Sequence, residues 1–240
     1  MNAGLGRSWR LLRAFRREQT EPEVAYEMLA ADTVEIIRRH TCRTDLRVVD
    51  VGGGPGYVER AMRDAGFECF TVDASAPEFA LHGAGPERPV VADGRFLPFR
   101  DRAFDLAHSS NVLEHVSDPW SMLDEMVRVL RPGGLGFVFF TNWLSPHGGH
   151  ETAPWHYLGG ARASRRFERR QGRRPKNQFG ESLFRIGVGE VLRWTRQHTD
   201  VELVDAFPRY YPRWTRGIVR VPGVREVLTW NLAVVVRRRW

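Results

Sequence analysis

One stretch of the chain has residue types and spacing that suit a close backbone–ligand contact: Asp50-Val51-Gly52-Gly53-Gly54-Pro55-Gly56, a D-x-G-x-G-x-G loop at the end of an apolar run. Glycine is needed where a strand turns sharply into a helix while its backbone approaches a ligand, because any Cβ would stand in the way. The nicotinamide fingerprint G-x-G-x-x-G fails in this register, since Gly52 and Gly54 call for glycine or alanine at position 57, where Tyr57 stands. That disfavours a dehydrogenase. Asp73 closes the next apolar run, about twenty residues on, where a carboxylate can accept hydrogen bonds from both hydroxyls of a ribose. Its plainer alternative is to cap the turn Ala74-Ser75-Ala76-Pro77. Asp93-Gly94 follows a third run, where an aspartate can accept from an adenine amino group or simply end a strand.

These residues need a sheet to hold them. From Leu46 onward, short apolar runs alternate with helical patterns, as βαβ units around a parallel sheet require. Strands are predicted over 46–51, 68–72, 89–92, 104–109, 135–141, 201–207 and 231–236, and helices over 57–65, 119–130 and 188–198. Gly66 is placed to end the first of these helices, and Asp118 with Pro119 to start the second. Arg131-Pro132-Gly133-Gly134 stops that helix, and the nearly unbroken apolar run after it reads as a central strand. Two amphipathic helices should precede the core as a flap over residues 1–42. The first carries Trp9, Leu11, Leu12 and Phe15, and the second runs from Pro22 to near His40. Residues 142–180, rich in Gly, His, Pro and Arg, form an insertion after the fifth strand.

The chain has 240 residues, 42% of them apolar, enough for one sizeable core. No window approaches the run of ~18 to 20 apolar residues that a membrane span needs, and the Arg-rich N-terminus lacks the apolar stretch of a secretory signal. A cytoplasmic location is expected. Cys42 and Cys69 fit neither a zinc site nor a disulfide framework. Charge is concentrated: residues 161–176 carry eight basic side chains against one acid, Glu168, as large an excess as the formal +7 of the whole chain. Residues 1–17 add five arginines and no acid, so the remaining body is acidic. This distribution points to a local anionic partner rather than a surface that coats nucleic acid.

Taken in order, Asp50 to Gly56, Asp73, Ala92-Asp93-Gly94, Phe96-Leu97-Pro98-Phe99, Phe104-Asp105-Leu106, Asn111-Val112-Leu113-Glu114-His115-Val116 and Leu130-Arg131-Pro132-Gly133-Gly134 resemble the motifs of class I S-adenosylmethionine-dependent methyltransferases, most of all their ubiquinone/menaquinone-biosynthesis-like, type 11 branch. The resemblance spans roughly residues 46–141. It implies an α/β, doubly wound, seven-stranded Rossmann-like fold over residues 43–240, with S-adenosyl-L-methionine as cofactor. By the same analogy the loop Gly52, Gly53, Gly54 and Gly56 faces the methionine moiety with Asp50 beside it, Asp73 faces the ribose, Asp93-Gly94 the adenine, and Ser110 and Asn111 lie along the donor. Past residue 142, His147-Gly148-Gly149-His150-Glu151, Pro154 to Gly160 and Lys176 to Gly180 resemble an actinobacterial group associated with O-methylation of sugars.

Methyl transfer from a sulfonium is an in-line displacement, so the protein chiefly positions the acceptor and removes its proton. In the fold implied, the 142–180 insertion covers the acceptor side. His150 is the first candidate for general base, with Glu151 as its orienter, and His115 is the second; each also reads as a packing residue. His147, His150, Glu151 and His156 are acceptable metal ligands, but glycine-spaced loop positions do not fix a ligand geometry as a helix does, and no metal is assigned. Arg162, Arg165, Arg166, Arg169, Arg170 and Arg173 recur at helical spacing. They form either a solvated face or, with the rest of Arg162 to Lys176, a contact for an anionic substrate, a lipid phosphate or an anionic membrane surface. The expected activity is methylation of a hydroxyl on a sugar, glycan or other small molecule, lipid-linked or free. The rivals are C-methylation of a quinone or lipid precursor and a non-catalytic donor-binding module; nucleic acid ranks last as a partner.

Overall fold

The structure, a computed structural model, describes Gly6, Ser8 and residues 22–81 and 85–240. The first expected helix, with Trp9, Leu11, Leu12 and Phe15, lies outside these residues. Seven strands, β1 (Arg47–Val51), β2 (Glu68–Asp73), β3 (Pro89–Val91), β4 (Phe104–Ser110), β5 (Leu130–Thr141), β6 (Val201–Pro208) and β7 (Asn231–Arg238), form one sheet in the order β3-β2-β1-β4-β5-β7-β6. Ladders among β1 to β5 are parallel, and β7 runs antiparallel to both its neighbours.

Both faces of the sheet are covered, which is why its strands read as nearly unbroken apolar runs. Alternate residues point to opposite layers. Val49, Val51, Val138 and Phe140 pack with α3 (Pro119–Val129) and α5 (Val188–Gln197), while Val48, Phe137 and Phe139 pack with α1 (Pro22–Arg38) and α2 (Tyr57–Asp64). Asp118 caps α3 as expected, its carboxylate accepting from the Ser121 amide and hydroxyl.

Strand β5 starts earlier than predicted. Leu130 pairs with Phe104, and the register then jumps to Leu106 opposite Leu135. Arg131 to Gly134 therefore bulge out within the ladder, with Gly133 at φ +79°, instead of separating helix from strand. The carbonyls of Val127, Arg128 and Leu130 that this abrupt ending leaves over accept from the Arg238 guanidinium on β7.

The insertion after β5 contains two short 3₁₀ turns, His150–Thr152 and Trp155–Leu158, and the basic helix α4 (Gly160–Gln171). Its return is tied to the sheet edge where Phe184 N–H donates to Glu114 O at 2.8 Å and Trp143 N–H to Ile186 O at 3.0 Å. The aromatic segment between β6 and β7 forms a 3₁₀ helix, Arg213–Arg220, and a short α6 (Val224–Leu228). The Glu226 carboxylate on α6 accepts the first amides of α5, from Val188 and Gly189.

Helix α1 is held at two points. Near its middle the wholly buried Arg209 donates to Asp32, to the Leu29 carbonyl and to Thr33. At its end His40 Nδ1 donates to Ile36 O, and Nε2 faces Asp205 of β6 at 3.6 Å. The facing Asp205 carboxylate raises the imidazole's pKa above 6.5, with burial opposing it. The pair's contribution is therefore complete below the unfolded value and is lost as pH climbs through the folded one. His40→Asn should lower Tm more at about pH 6 than at about pH 8.5; equal losses in thermal melts at the two pH values would show that this pair does not hold the helix.

Candidate active site

The glycine loop sits where β1 gives way to α2. Gly52 N–H and Gly53 N–H donate to Val72 O of β2, folding the loop over the neighbouring strand. Three of its glycines adopt positive φ, at +77° for Gly52, +46° for Gly54 and +79° for Gly56. Their surroundings differ. A Cβ on Gly52 would come within 2.2 Å of Val112, one on Gly53 within 2.5 Å of the Asp50 carboxylate, and one on Gly56 within 3.0 Å of Pro86. A Cβ on Gly54 would meet nothing within 4 Å, so Gly54 faces open space.

Asp50 does not line that space. It is 1% exposed, and its Oδ1 accepts from His108 Nδ1 at 2.7 Å. Thr71, Asp50 and His108 stand side by side across β2, β1 and β4, a polar row under the loop with Asp50 Oδ2, Thr71 Oγ1 and His108 Nε2 left over. Asp73, by contrast, closes β2 at the rim. Its Oδ2 accepts from Gly54 N–H at 3.2 Å and its Oδ1 from Ser75 N–H at 3.0 Å. The turn-capping and ligand-facing readings are therefore compatible, because each oxygen keeps a lone pair.

Asp93 is clasped by Arg95 through Nε at 3.0 Å and Nη2 at 2.6 Å, and this guanidinium lowers its pKa. A Cβ on Gly94 would press on Val51 at 2.9 Å. Ser110 Oγ accepts from Arg209 at 2.8 Å. Asn111 takes φ +56°, a conformation Asn tolerates better than most residues, and its Oδ1 accepts from Asn231 Nδ2 at 2.7 Å.

The turn that follows Asn111 brings Glu114 and His115 to the same edge, and the insertion brings His150 against them, the two rings 5.1 Å apart. Glu114 is buried; its Oε1 accepts from Thr141 N–H, and burial raises its pKa. His115 Nδ1 donates to the Ser182 carbonyl at 2.7 Å, which leaves Nε2 with the free lone pair. Burial lowers the His150 pKa to about 4, so this ring is neutral at physiological pH.

Glu151 turns to Asn177 at 3.1 Å and makes no hydrogen bond to His150. His147 stacks on Trp230 with centroids 3.9 Å apart, and His156 packs edge-on to Trp143 with Nε2 on Ser145 O. The four candidate ligands of the insertion thus point to separate places. Glu114, Arg209 and Asn231 were not singled out from sequence. Glu114 had a signal in its adjacency to His115, whereas Arg209 is hidden among 36 basic residues.

The model of the methyltransferase domain family matches residues 49–138. An uncharacterized methyltransferase of Mycolicibacterium gilvum is 48% identical over 98% of this chain and 95% of its own length, and one of Mycobacteroides abscessus is 45% identical over 99% and 96%. The chain is a class I methyltransferase. The crystal structure of an S-adenosylmethionine-dependent methyltransferase from Mesorhizobium loti shares the fold at TM-score 0.59 and 20% identity, over 86% of this chain and 98% of that one. The methyl donor of this methyltransferase is S-adenosyl-L-methionine. The residues fit that group: the open face of Gly54 admits an extended ligand, and Asp73 keeps acceptor capacity beside it.

The contrast between two loop glycines can be measured. Gly52→Ala adds a Cβ into Val112 at a left-handed φ and should cost about 2–4 kcal/mol of stability. Gly54→Ala bears the φ penalty alone, about 1–2 kcal/mol. Urea denaturation ranks them, and equal losses would contradict the packing described.

Proposed function

We propose that this methyltransferase methylates a hydroxyl oxygen of a sugar, glycan or other small polar molecule. The observation that carries this reading is the His115–His150 pair, where a tethered Nδ1–H leaves His115 Nε2 able to accept a proton and a neutral imidazole stands beside it. In this reading Gly52, Gly53, Gly54 and Gly56 hold the methionine end of the donor and Asp50 supports the loop from beneath. Asp73 takes the ribose hydroxyls, Asp93 and Gly94 border the adenine, and Ser110 and Asn111 flank the donor. The donor, when bound, supplies a methyl group on a positively charged sulfur. His115 takes the hydroxyl proton as the oxygen attacks, and Ser182 keeps the ring in the tautomer that can do so. His150 narrows the space on the acceptor side. Glu151, turned toward Asn177, keeps the insertion in place rather than orienting the base.

With a tritiated methyl donor and fractionated polar, glycan and lipid extracts, His115→Ala should lower the rate of transfer about 10²-fold or more. His150→Ala should lower it by less, and S-adenosylhomocysteine affinity should change less than about twofold in both. Methyl groups found on carbon, or a rate indifferent to His115, would refute the hydroxyl reading. Donor binding with no transfer to any fraction would leave a binding module.

We further infer that α4 rests on an anionic membrane surface and that the acceptor can be lipid-linked. Among the described residues no helix is long and apolar enough to cross a membrane. Arg162, Arg165, Arg169, Arg170 and Arg173 are exposed along α4 and just beyond it, next to the exposed apolar side chains of Trp155, Tyr157 and Leu158, while Arg166 lies 3.8 Å over the Trp155 ring. Cationic charge beside interfacial aromatic residues suits a headgroup layer. The protein should co-sediment with vesicles of phosphatidylglycerol and phosphatidylcholine and not with phosphatidylcholine alone. Exchange of Arg165, Arg169 and Arg170 for glutamate should weaken binding by about tenfold or more, each charge contributing about 1 kcal/mol. Binding unaffected by the exchange would rule this surface out.

A further inference from the structure

The cluster at the acceptor side has the makings of a metal centre as well as a base. One ligand-competent atom from each of Glu114, His115 and His150 lies within 4.8 Å of the others, and no other such group of three occurs among the described residues. Glu114 is 1% exposed and its Oε2 has no hydrogen-bond partner. His150 Nε2 is likewise buried without one. The third member, His115, is fixed by its Nδ1 bond to Ser182 O, the usual arrangement behind a ligating Nε2. Two buried lone-pair donors without a partner are costly to a fold unless something completes them. A proton shared between them would satisfy only two of the three atoms, whereas a cation satisfies all three.

We propose that Glu114, His115 and His150 bind one divalent first-row transition ion of the zinc or cobalt kind. Two imidazoles and a carboxylate are the donors such ions prefer, whereas magnesium and calcium call for oxygen-rich sets. Small shifts bring atoms spaced as these are onto a common centre at Zn–N and Zn–O distances of about 2.0–2.2 Å. Three protein ligands leave a fourth position open on the acceptor side. The consequence, and only the consequence, rests on the hydroxyl-acceptor reading. A hydroxyl in that position is acidified and gives its proton to water; its oxygen then forms the O–CH₃ bond as the S–CH₃ bond breaks, and the donor leaves as a neutral thioether. In that state the two imidazoles act as ligands and no longer take the proton.

Cobalt reports coordination without any turnover. Full-length protein, treated with chelator, dialysed and titrated with Co²⁺ in the presence of S-adenosylhomocysteine, should develop visible d–d absorption that saturates at one ion per chain and is displaced by Zn²⁺. His150→Gln and Glu114→Gln should each weaken Co²⁺ binding by at least about tenfold while S-adenosylhomocysteine affinity stays within about twofold, which shows that the variants fold. Should Glu114→Gln fail to fold, His150→Gln alone decides. No saturable absorption in the unaltered protein, or absorption unchanged in His150→Gln, would overturn the site. Cobalt bound at this site without transfer to any hydroxyl would confirm the site and refute the proposed reaction. Unimpaired transfer by protein in which no cobalt binds would do the reverse.

Discussion

The position of β1 beside β4 is the constraint on which the rest of this molecule depends. β1 sends its chain through α2 to β2 on one side, while β4 sends its chain through α3 to β5 on the other. Connections that part in opposite directions leave a crevice at the carboxyl ends of the two strands that no crossover has to close. The glycine loop enters this crevice from β1 and the Ser110–Asn111 segment from β4; Asp73 and Asp93 follow from the next strands out. The Asp50–His108 hydrogen bond spans this junction. It uses a buried polar pair to join the two strands directly below the place where their paths separate.

A crevice open at the sheet edge needs walls, and Arg209 builds one of them. Its guanidinium is fully buried, stands 4.2 Å over the Phe139 ring, and reaches Asp32 and Thr33 of α1 as well as Ser110 at the end of β4. Burying a guanidinium is tolerable only with its donors met and a charge opposite, and here both conditions hold. One side chain thus fixes the helix before the sheet, the end of the strand that borders the crevice, and the start of the segment leading to β7. Glu226 does comparable work at the start of α5, where its carboxylate meets helix amides.

The sheet was legible because its physics is local and periodic: apolar runs such as Val48-Val49 and Phe137 to Phe140, punctuated by Gly66, Asp118 and Pro119, fix element type and order. The early start of β5 was not, since Arg131-Pro132-Gly133-Gly134 reads as a stop and only the pairing of Leu130 with Phe104 keeps the chain in the ladder. The glycine loop was legible as a motif, but the separate packing of its glycines was not. Val112, Pro86 and Asp50 are far in sequence from Gly52, Gly56 and Gly53 or point inward unseen. In the turn after β4 and in the insertion the histidines were visible and their partners were not. Glu151 is next to His150 in sequence and turns away from it, while the Ser182 carbonyl that orients His115 has no sequence signature at all.

Strain also marks the crevice. Among the described residues, three other than glycine take left-handed backbone: Arg102, in an exposed turn, Asn111, at the end of β4, and His150, in the insertion. Each such residue costs about 1–2 kcal/mol, more for His than for Asn. The partnerless polar atoms of Glu114 and His150 add to that cost in the same place. A fold selected for stability alone would fill this spot with apolar side chains, as it does across both faces of the sheet. Strained backbone and unsatisfied buried polar atoms concentrated in one place are the pattern expected where stability has been given up for chemistry. The proposed roles divide along the same line: the glycine loop and its neighbours come from strands that the fold cannot vary, whereas His150 comes from an insertion that it can.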